Sequence, residues 1–131
     1  MEQSRRQAQG VKVVRAEAQA ADRLSGAGRA TAFNFNPEGT GTWIGTVTLP
    51  PAEDTGPHHH GRHEVVIFVA EGRSRILWGE QLEFAAEVGP GDMVYFAPYV
   101  PHAEVNLDAS QAAVFVVVRT DSEKIRVNLD I

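Results

Sequence analysis

At 131 residues the chain has the length of one domain and is long enough to bury a hydrophobic core without disulfide or metal staples. It contains no cysteine, which excludes disulfides, thiolate metal sites and cysteine nucleophiles. The 12 basic and 17 acidic residues give a net charge of −5 with no basic stripe, so no nucleic acid partner is expected.

The first ten residues are polar and show no hydrophobic period, so residues 1–10 are predicted to form a flexible arm before one domain over residues 11–131. They contain no apolar stretch of the signal-peptide type. The longest apolar run, Ala112–Val118, is too short to cross a bilayer. We therefore expect a cytoplasmic protein with no membrane partner.

Short segments rich in β-branched and aromatic residues recur along the chain, with turn residues about every 8–12 positions between them. In chain order the predicted strands are Val11–Ala16, Thr42–Leu49, Val65–Ala70, Ser74–Trp78, Leu82–Val88, Met93–Ala97, Ala103–Asn106, Ala112–Arg119 and Lys124–Leu129. Gly26 and Gly28 favour a loop over the stretch from residue 16 to residue 29. No long segment keeps a helical period, so the sequence predicts one all-β, antiparallel sandwich or barrel.

The histidines are confined to two places. Four of them, His58, His59, His60 and His63, lie within six residues, and His102 stands alone after a Pro-Gly-Asp turn. Side chains two apart on a strand share a face, so His58 and His60 can both face the interior while His59 points outward. Imidazole is the commonest metal ligand among side chains. The alternatives are a solvated histidine-rich loop and histidines that only pack and form hydrogen bonds.

Two motifs around these histidines resemble those of the small single-domain cupins. The first runs Gly56-Pro-His58-His-His60-Gly-Arg-His-Glu64 and continues to Gly72. The second begins at Gly91 and ends Pro98-Tyr-Val-Pro-His102-Ala-Glu-Val-Asn106. The resemblance implies an antiparallel jelly-roll β-barrel. It also implies a choice of activities, among them dioxygenases, isomerases, epimerases, decarboxylases, lyases and non-catalytic ligand binders.

The resemblance further implies a metal site formed by His58, His60, Glu64 and His102. The first motif departs from the usual spacing, because counting back from Gly72 puts Val65 at the place of the fourth ligand. A bulge near Gly61 would turn Glu64 into the site. His63, which shares a face with Val65, is the alternative ligand.

Three nitrogens and one oxygen with open positions suit one divalent transition metal, namely Fe, Mn, Ni, Cu or Zn. The absence of sulfur ligands disfavours a closed structural zinc site. The resulting hypothesis is a metalloenzyme of the oxygenase, isomerase or lyase type that acts on a small oxygen-bearing substrate. Its candidate catalytic residues are Glu64 and Tyr99, where Tyr99 replaces a usual glycine close to His102. The alternatives are a non-catalytic ligand-binding or regulatory barrel, and a storage or scaffold protein with an empty site.

The remaining predictions concern packing. Five aromatic residues are expected in the core: Trp43, Phe68, Phe84, Tyr95 and Phe96. Three charged residues are expected at the solvated surface: Arg73, Arg75 and Glu104. Trp78 is expected to be half exposed or at a dimer face. Exposed edge strands must be covered or charged, so a homodimer is predicted, with residues 11–16 and 124–131 as pairing strands.

Overall fold

The computed structural model describes residues 41–121 and 123–131, together with residues 13, 15, 22–23 and 31–32. The strands within this part of the chain are β1 (Asp22–Arg23), β2 (Thr31–Ala32), β3 (Trp43–Leu49), β4 (His58–His59), β5 (Val65–Glu71), β6 (Ser74–Trp78), β7 (Phe84–Val88), β8 (Met93–Phe96), β9 (His102–Asn106), β10 (Ala113–Arg119) and β11 (Val127–Asn128). The residues that are described contain no helix. Consequently the described chain has no helix with the length and hydrophobicity needed to span a membrane.

The strands form two antiparallel sheets. The first sheet has the order β1-β2-β3-β10-β5-β8, and the second has the order β11-β4-β9-β6-β7. Consecutive strands β5 and β6 belong to different sheets, so the Gly72 turn carries the chain across from one sheet to the other. Gly72 has φ 82°, and a Cβ there would lie 2.9 Å from the Ala113 Cα, so both its conformation and its packing require glycine. The predicted jelly-roll class is confirmed.

The core lies between the two sheets and is built from alternate residues of the strands. In β5, Val65, Ile67 and Val69 are buried, whereas the residues between them face outward. The inward residues of β5 meet those of the other strands in one cluster, whose remaining buried members are Leu49, Ile76, Val88, Phe96, Ala113 and Phe115. Burial of this apolar surface, at about 25 cal/mol per Å², is the main force that holds the sheets together.

Most predicted strands correspond to observed ones, with shifts of one or two residues at their ends, although the closing strand is only Val127–Asn128. Residues 13 and 15 are not in a strand, and the rest of the predicted strand over residues 11–16 lies outside the described residues. The predicted arm over residues 1–10 lies outside them as well.

Only part of the aromatic core prediction is correct. Trp43 and Phe96 are buried, but Phe68, Phe84 and Tyr95 are exposed at the outer faces of the sheets. For Phe68 the cause is simple: Val-Val-Ile-Phe-Val is apolar at every position, so the inward and outward positions cannot be told apart from the sequence of this segment. Trp78 is half-buried and stacks on Phe84, with 5.9 Å between the ring centroids.

Candidate metal centre

His58, His60 and His102 meet at one point of the second sheet. His58 of β4 is paired directly with His102 of β9, and His60 follows two residues later. The ring centroids of His58 and His102 are 4.3 Å apart, and one nitrogen from each of the three rings lies within 4.8 Å of the others. The fold therefore brings His102 to the two imidazoles, His58 and His60, that the strand period placed on one face.

Each of the three rings is oriented by a hydrogen bond of the same kind, from Nδ1 to a backbone carbonyl. The Nδ1 atoms of His58, His60 and His102 lie 2.8, 2.9 and 3.0 Å from the backbone carbonyl oxygens of Gly56, Ile125 and Val100. A carbonyl oxygen only accepts, so each Nδ1 carries the proton and donates it. In the neutral ring the Nε2 atom is then left with a free lone pair. This backbone support is the arrangement that metal-binding histidines commonly have.

Burial keeps the rings of His58 and His60 neutral. It is the largest cause that lowers the pKa of His58 to about 3, with further lowering by His102 and Arg126. Burial, followed by the proximity of His58, also lowers the pKa of His60 to about 3. Neutral imidazole is the form that binds a metal, so both rings are ready to bind at neutral pH.

Phe96 and the C-terminal segment contact the three histidines and hold them in place. Phe96 stacks on the His102 ring, with 4.1 Å between the centroids. The C-terminal segment crosses the site, because β11 pairs with β4 and the Ile125 carbonyl accepts from His60. Gly61 permits this approach: a Cβ at Gly61 would lie only 2.8 Å from the Cγ2 atom of Ile125.

The structure does not bring Glu64 to the three histidines. Glu64 is exposed on the outer face of the first sheet, where it accepts a hydrogen bond from the Tyr95 hydroxyl. That hydrogen bond raises the pKa of Tyr95. The backbone makes a turn at Gly61, in which the His63 N–H donates to the His60 carbonyl at 3.1 Å. The pairing of β5 with β10 is regular from Val65 onward, and its register first shifts where Val114 pairs with Glu71. Strand alternation from the inward Val65 therefore points Glu64 outward.

His63 faces inward, as expected, but its partner is Asp121. It is buried, and its Nε2 atom lies 2.7 Å from the Oδ1 atom of Asp121. The group formed by His58, His60 and His102 does not include it. Neither of the two predicted fourth ligands therefore lies with the three histidines.

Tyr99 and His59 lie outside the histidine group. Tyr99 is 62% exposed, and its ring lies 5.7 Å from that of His59. Tyr99 has φ 63°, and its N–H donates to the Gly61 carbonyl. This left-handed conformation explains why glycine suits the position, and a tyrosine pays a steric cost there.

Glu104, which was predicted to lie at the solvated surface, lies beside the three histidines instead. Glu104 is only 9% exposed, and its Oε1 atom is 3.8 Å from the Nε2 atom of His102. Its Oε2 atom accepts from the Thr55 hydroxyl at 3.0 Å. Glu104 shares a face with His102 because it is two residues further along β9, and this spacing was the available signal. The burial itself depends on Thr55, which is distant in sequence.

The residues at this point fit a metal ion. Three nitrogen donors converge, each with its proton held on the far side of the ring. Among the described residues, none forms a hydrogen bond with the buried Nε2 atom of His102, which is costly for a polar atom unless something else occupies that position. The donors contain no sulfur, which suits a transition metal with open positions better than a closed structural zinc site.

Asn106, the last residue of the second motif, has a structural position. It is buried, and its side-chain nitrogen lies within hydrogen-bond distance of the carbonyls of Leu49, Pro50 and Gln111. It thus ties the loop after β3 to the loop before β10.

Comparison with known proteins agrees with this architecture. The family model described as Cupin domain matches residues 45–119. No curated protein matches the chain significantly.

Among solved structures, the polyketide cyclase RemF from Streptomyces resistomycificus has a TM-score of 0.77 at 24% identity, over 92% of this chain and 87% of that one. The oxalate decarboxylase from Bacillus subtilis has a TM-score of 0.68 at 23% identity, over 86% of this chain and 30% of that one. An oxalate oxidase has a TM-score of 0.60 at 19% identity, over 68% of this chain and 46% of that one. At these identities the likeness establishes the fold.

Proposed function

Since this chain belongs to the cupin domain family, we propose that it is a small metalloenzyme whose ion is held by His58, His60 and His102. The observation that carries the proposal is the common orientation of the three rings, each with Nδ1 on a backbone carbonyl and Nε2 free. A single buried histidine with this hydrogen bond would be ordinary. Three that converge within 4.8 Å form a donor set.

The substrate proposed is a small organic molecule that carries carbonyl, carboxylate or hydroxyl oxygens. A divalent ion at this site would act as a Lewis acid toward such oxygens or bind them for oxygen chemistry. Three protein nitrogens leave coordination positions open, and the half-buried His60 marks the side from which a molecule can approach. The named activities of the structural neighbours, polyketide cyclisation and oxalate oxidation or decarboxylation, all concern substrates with closely spaced oxygens. They supply the first compounds to test.

The test begins with protein made without a histidine tag and purified without a nickel column, because three consecutive histidines can themselves retain nickel. Elemental analysis is expected to find close to one Fe, Mn, Ni, Cu or Zn ion per chain. The variant His58→Gln is the matched control and should lose the ion. Metal content equal in the two proteins would contradict the proposal.

The second step uses the cobalt(II)-loaded protein. Oxalate and pentane-2,4-dione, a short diketone, are expected to change its visible absorption because their oxygens would enter open positions on the ion. Conversion is followed by NMR of the small molecule. A change in absorption with no conversion of any oxygen-bearing compound by any of the five metal forms would favour the non-catalytic binder instead.

A further inference from the structure

The geometry points to Glu104 as the fourth protein ligand of the metal, in place of the carboxylate expected from the first motif. This inference rests on the proposed function, because it requires a metal at His58, His60 and His102. It concerns a residue of the second motif that lies between His102 and Asn106 and has no metal-binding part in the resemblance.

One oxygen of the Glu104 carboxylate lies close to His102. Glu104 Oε1 lies 3.8 Å from His102 Nε2. Two ligand atoms that are each about 2.1 Å from one ion are about 3.4 Å apart at a tetrahedral angle. A movement of a few tenths of an ångström would therefore place both atoms on one ion.

Thr55 holds the other carboxylate oxygen and the backbone of Glu104. Thr55 Oγ1 donates to Oε2 at 3.0 Å and accepts from the backbone N–H of Glu104 at the same distance. The Thr55 N–H also donates to the Glu104 carbonyl. One oxygen is thus fixed by the protein and the other lies toward His102. Carboxylates that bind a metal are commonly held by such a hydrogen bond.

The negative charge of Glu104 is buried and needs compensation. Glu104 is 9% exposed, and buried carboxylates are rare unless they are paired or bind a metal. Arg126 provides part of the compensation: burial lowers the pKa of Arg126, and the Glu104 carboxylate opposes that shift. Arg126 also donates to the Thr55 carbonyl, which holds the cation near Thr55. Within the described residues, the Oε1 atom has no hydrogen bond.

The experiment compares Glu104→Gln with Glu64→Gln, each in the full chain, by competition titration of the metal-free protein with Zn²⁺ at pH 7. We expect Glu104→Gln to weaken Zn²⁺ binding by at least about tenfold and Glu64→Gln to change it by less than about twofold. Circular dichroism confirms the fold of each variant. Equal affinities of Glu104→Gln and the native chain would overturn the inference.

Infrared difference spectroscopy of the native chain with and without Zn²⁺ supplies a second readout, and the same two variants assign it to a residue. Zn²⁺ addition is expected to shift one carboxylate stretching band, and the shift should persist in Glu64→Gln and disappear in Glu104→Gln. Zn²⁺ binding without any carboxylate shift would overturn the role of Glu104 while leaving the three-histidine site intact. Absence of Zn²⁺ binding to the native chain would overturn the proposed function itself, and the inference with it.

Discussion

His58 and His102 face each other as a cross-strand pair of β4 and β9, with their ring centroids 4.3 Å apart. This pairing joins the two sequence motifs at one point of the second sheet. The register of the sheet therefore determines whether the site exists, and the hydrogen bonds from Nδ1 to the Gly56 and Val100 carbonyls determine which nitrogens it presents. Structural support and ligand geometry are provided by the same backbone segments.

His102→Ala is expected to abolish metal binding without unfolding the chain. The core between the sheets consists of apolar side chains, each contributing roughly 1.5–3 kcal/mol on burial, so the fold does not depend on the ion. Zn²⁺ at a hundredfold excess over its dissociation constant should stabilise the native chain by about 2.7 kcal/mol and the variant not at all. Thermal unfolding followed by circular dichroism measures both effects. Loss of the β-sheet signal in the variant would show that the ion is structural.

Gly61→Ala is expected to weaken metal binding through His60. Gly61 has φ 57°, which costs an alanine roughly 1–2 kcal/mol, and the added Cβ would press on Ile125, whose carbonyl orients His60. Gly41→Ala is the matched control, since no described residue has an atom within 4 Å of a Cβ at Gly41. Zn²⁺ titration of both variants checks this prediction. An equal affinity for the two would mean that the contact with Ile125 does not hold the ring in place.

The metal-free chain is expected to lose stability as the pH falls below about 6.5. His58 and His60 have pKa values of about 3 in the fold, chiefly because they are buried, against about 6.5 when unfolded. Between these values the unfolded chain binds protons that the native chain does not, so acidification favours unfolding. The slope contributed by each histidine is at most about 1.4 kcal/mol per pH unit.

Urea unfolding of the metal-free native chain and of the double variant His58→Gln, His60→Gln between pH 7 and pH 4 measures this slope. The double variant should show a flatter dependence. The same slope in both proteins would show that groups other than these two histidines are responsible.

The homodimer remains a prediction, and the structure adds a surface that supports it. Cross-strand pairs on the outer face of the first sheet expose Val66, Phe68, Met93 and Tyr95. Adjacent exposed apolar residues on an edge strand and its neighbour commonly mark an interface. Sedimentation at micromolar concentration should give twice the 14.2 kDa chain mass. Phe68→Glu should reduce that mass, whereas Leu107→Glu, at a residue of equal exposure, should not. A native chain that sediments as a monomer would contradict the prediction.

The sequence was most informative where alternation and turns were unambiguous. The period of two placed His58 and His60 on one face, and the second motif located His102 on another strand. The direction of the Glu64 side chain depended on the backbone path at Gly61. A turn rather than a bulge precedes β5, so the carboxylate faces outward. Such a choice between two paths is decided by packing around Val65 and is not visible in the spacing.

The burial of Glu104 was not predicted, for a different reason. A glutamate between Ala103 and Val105 reads as a surface charge, and its burial depends on Thr55, which approaches from another part of the chain. The exposed Phe68 and Tyr95 were likewise unpredictable, because both faces of their strands are apolar in sequence. Contacts between distant segments, rather than local pattern, determined each of these positions.

The central claim is that His58, His60 and His102 bind one metal ion through their Nε2 atoms. Anomalous diffraction at the zinc edge, from crystals of the untagged chain grown with Zn²⁺, tests it most directly. The account predicts one strong peak about 2.0–2.2 Å from all three Nε2 atoms. A peak at His59 or His63 alone, or no peak among the three rings, would contradict it.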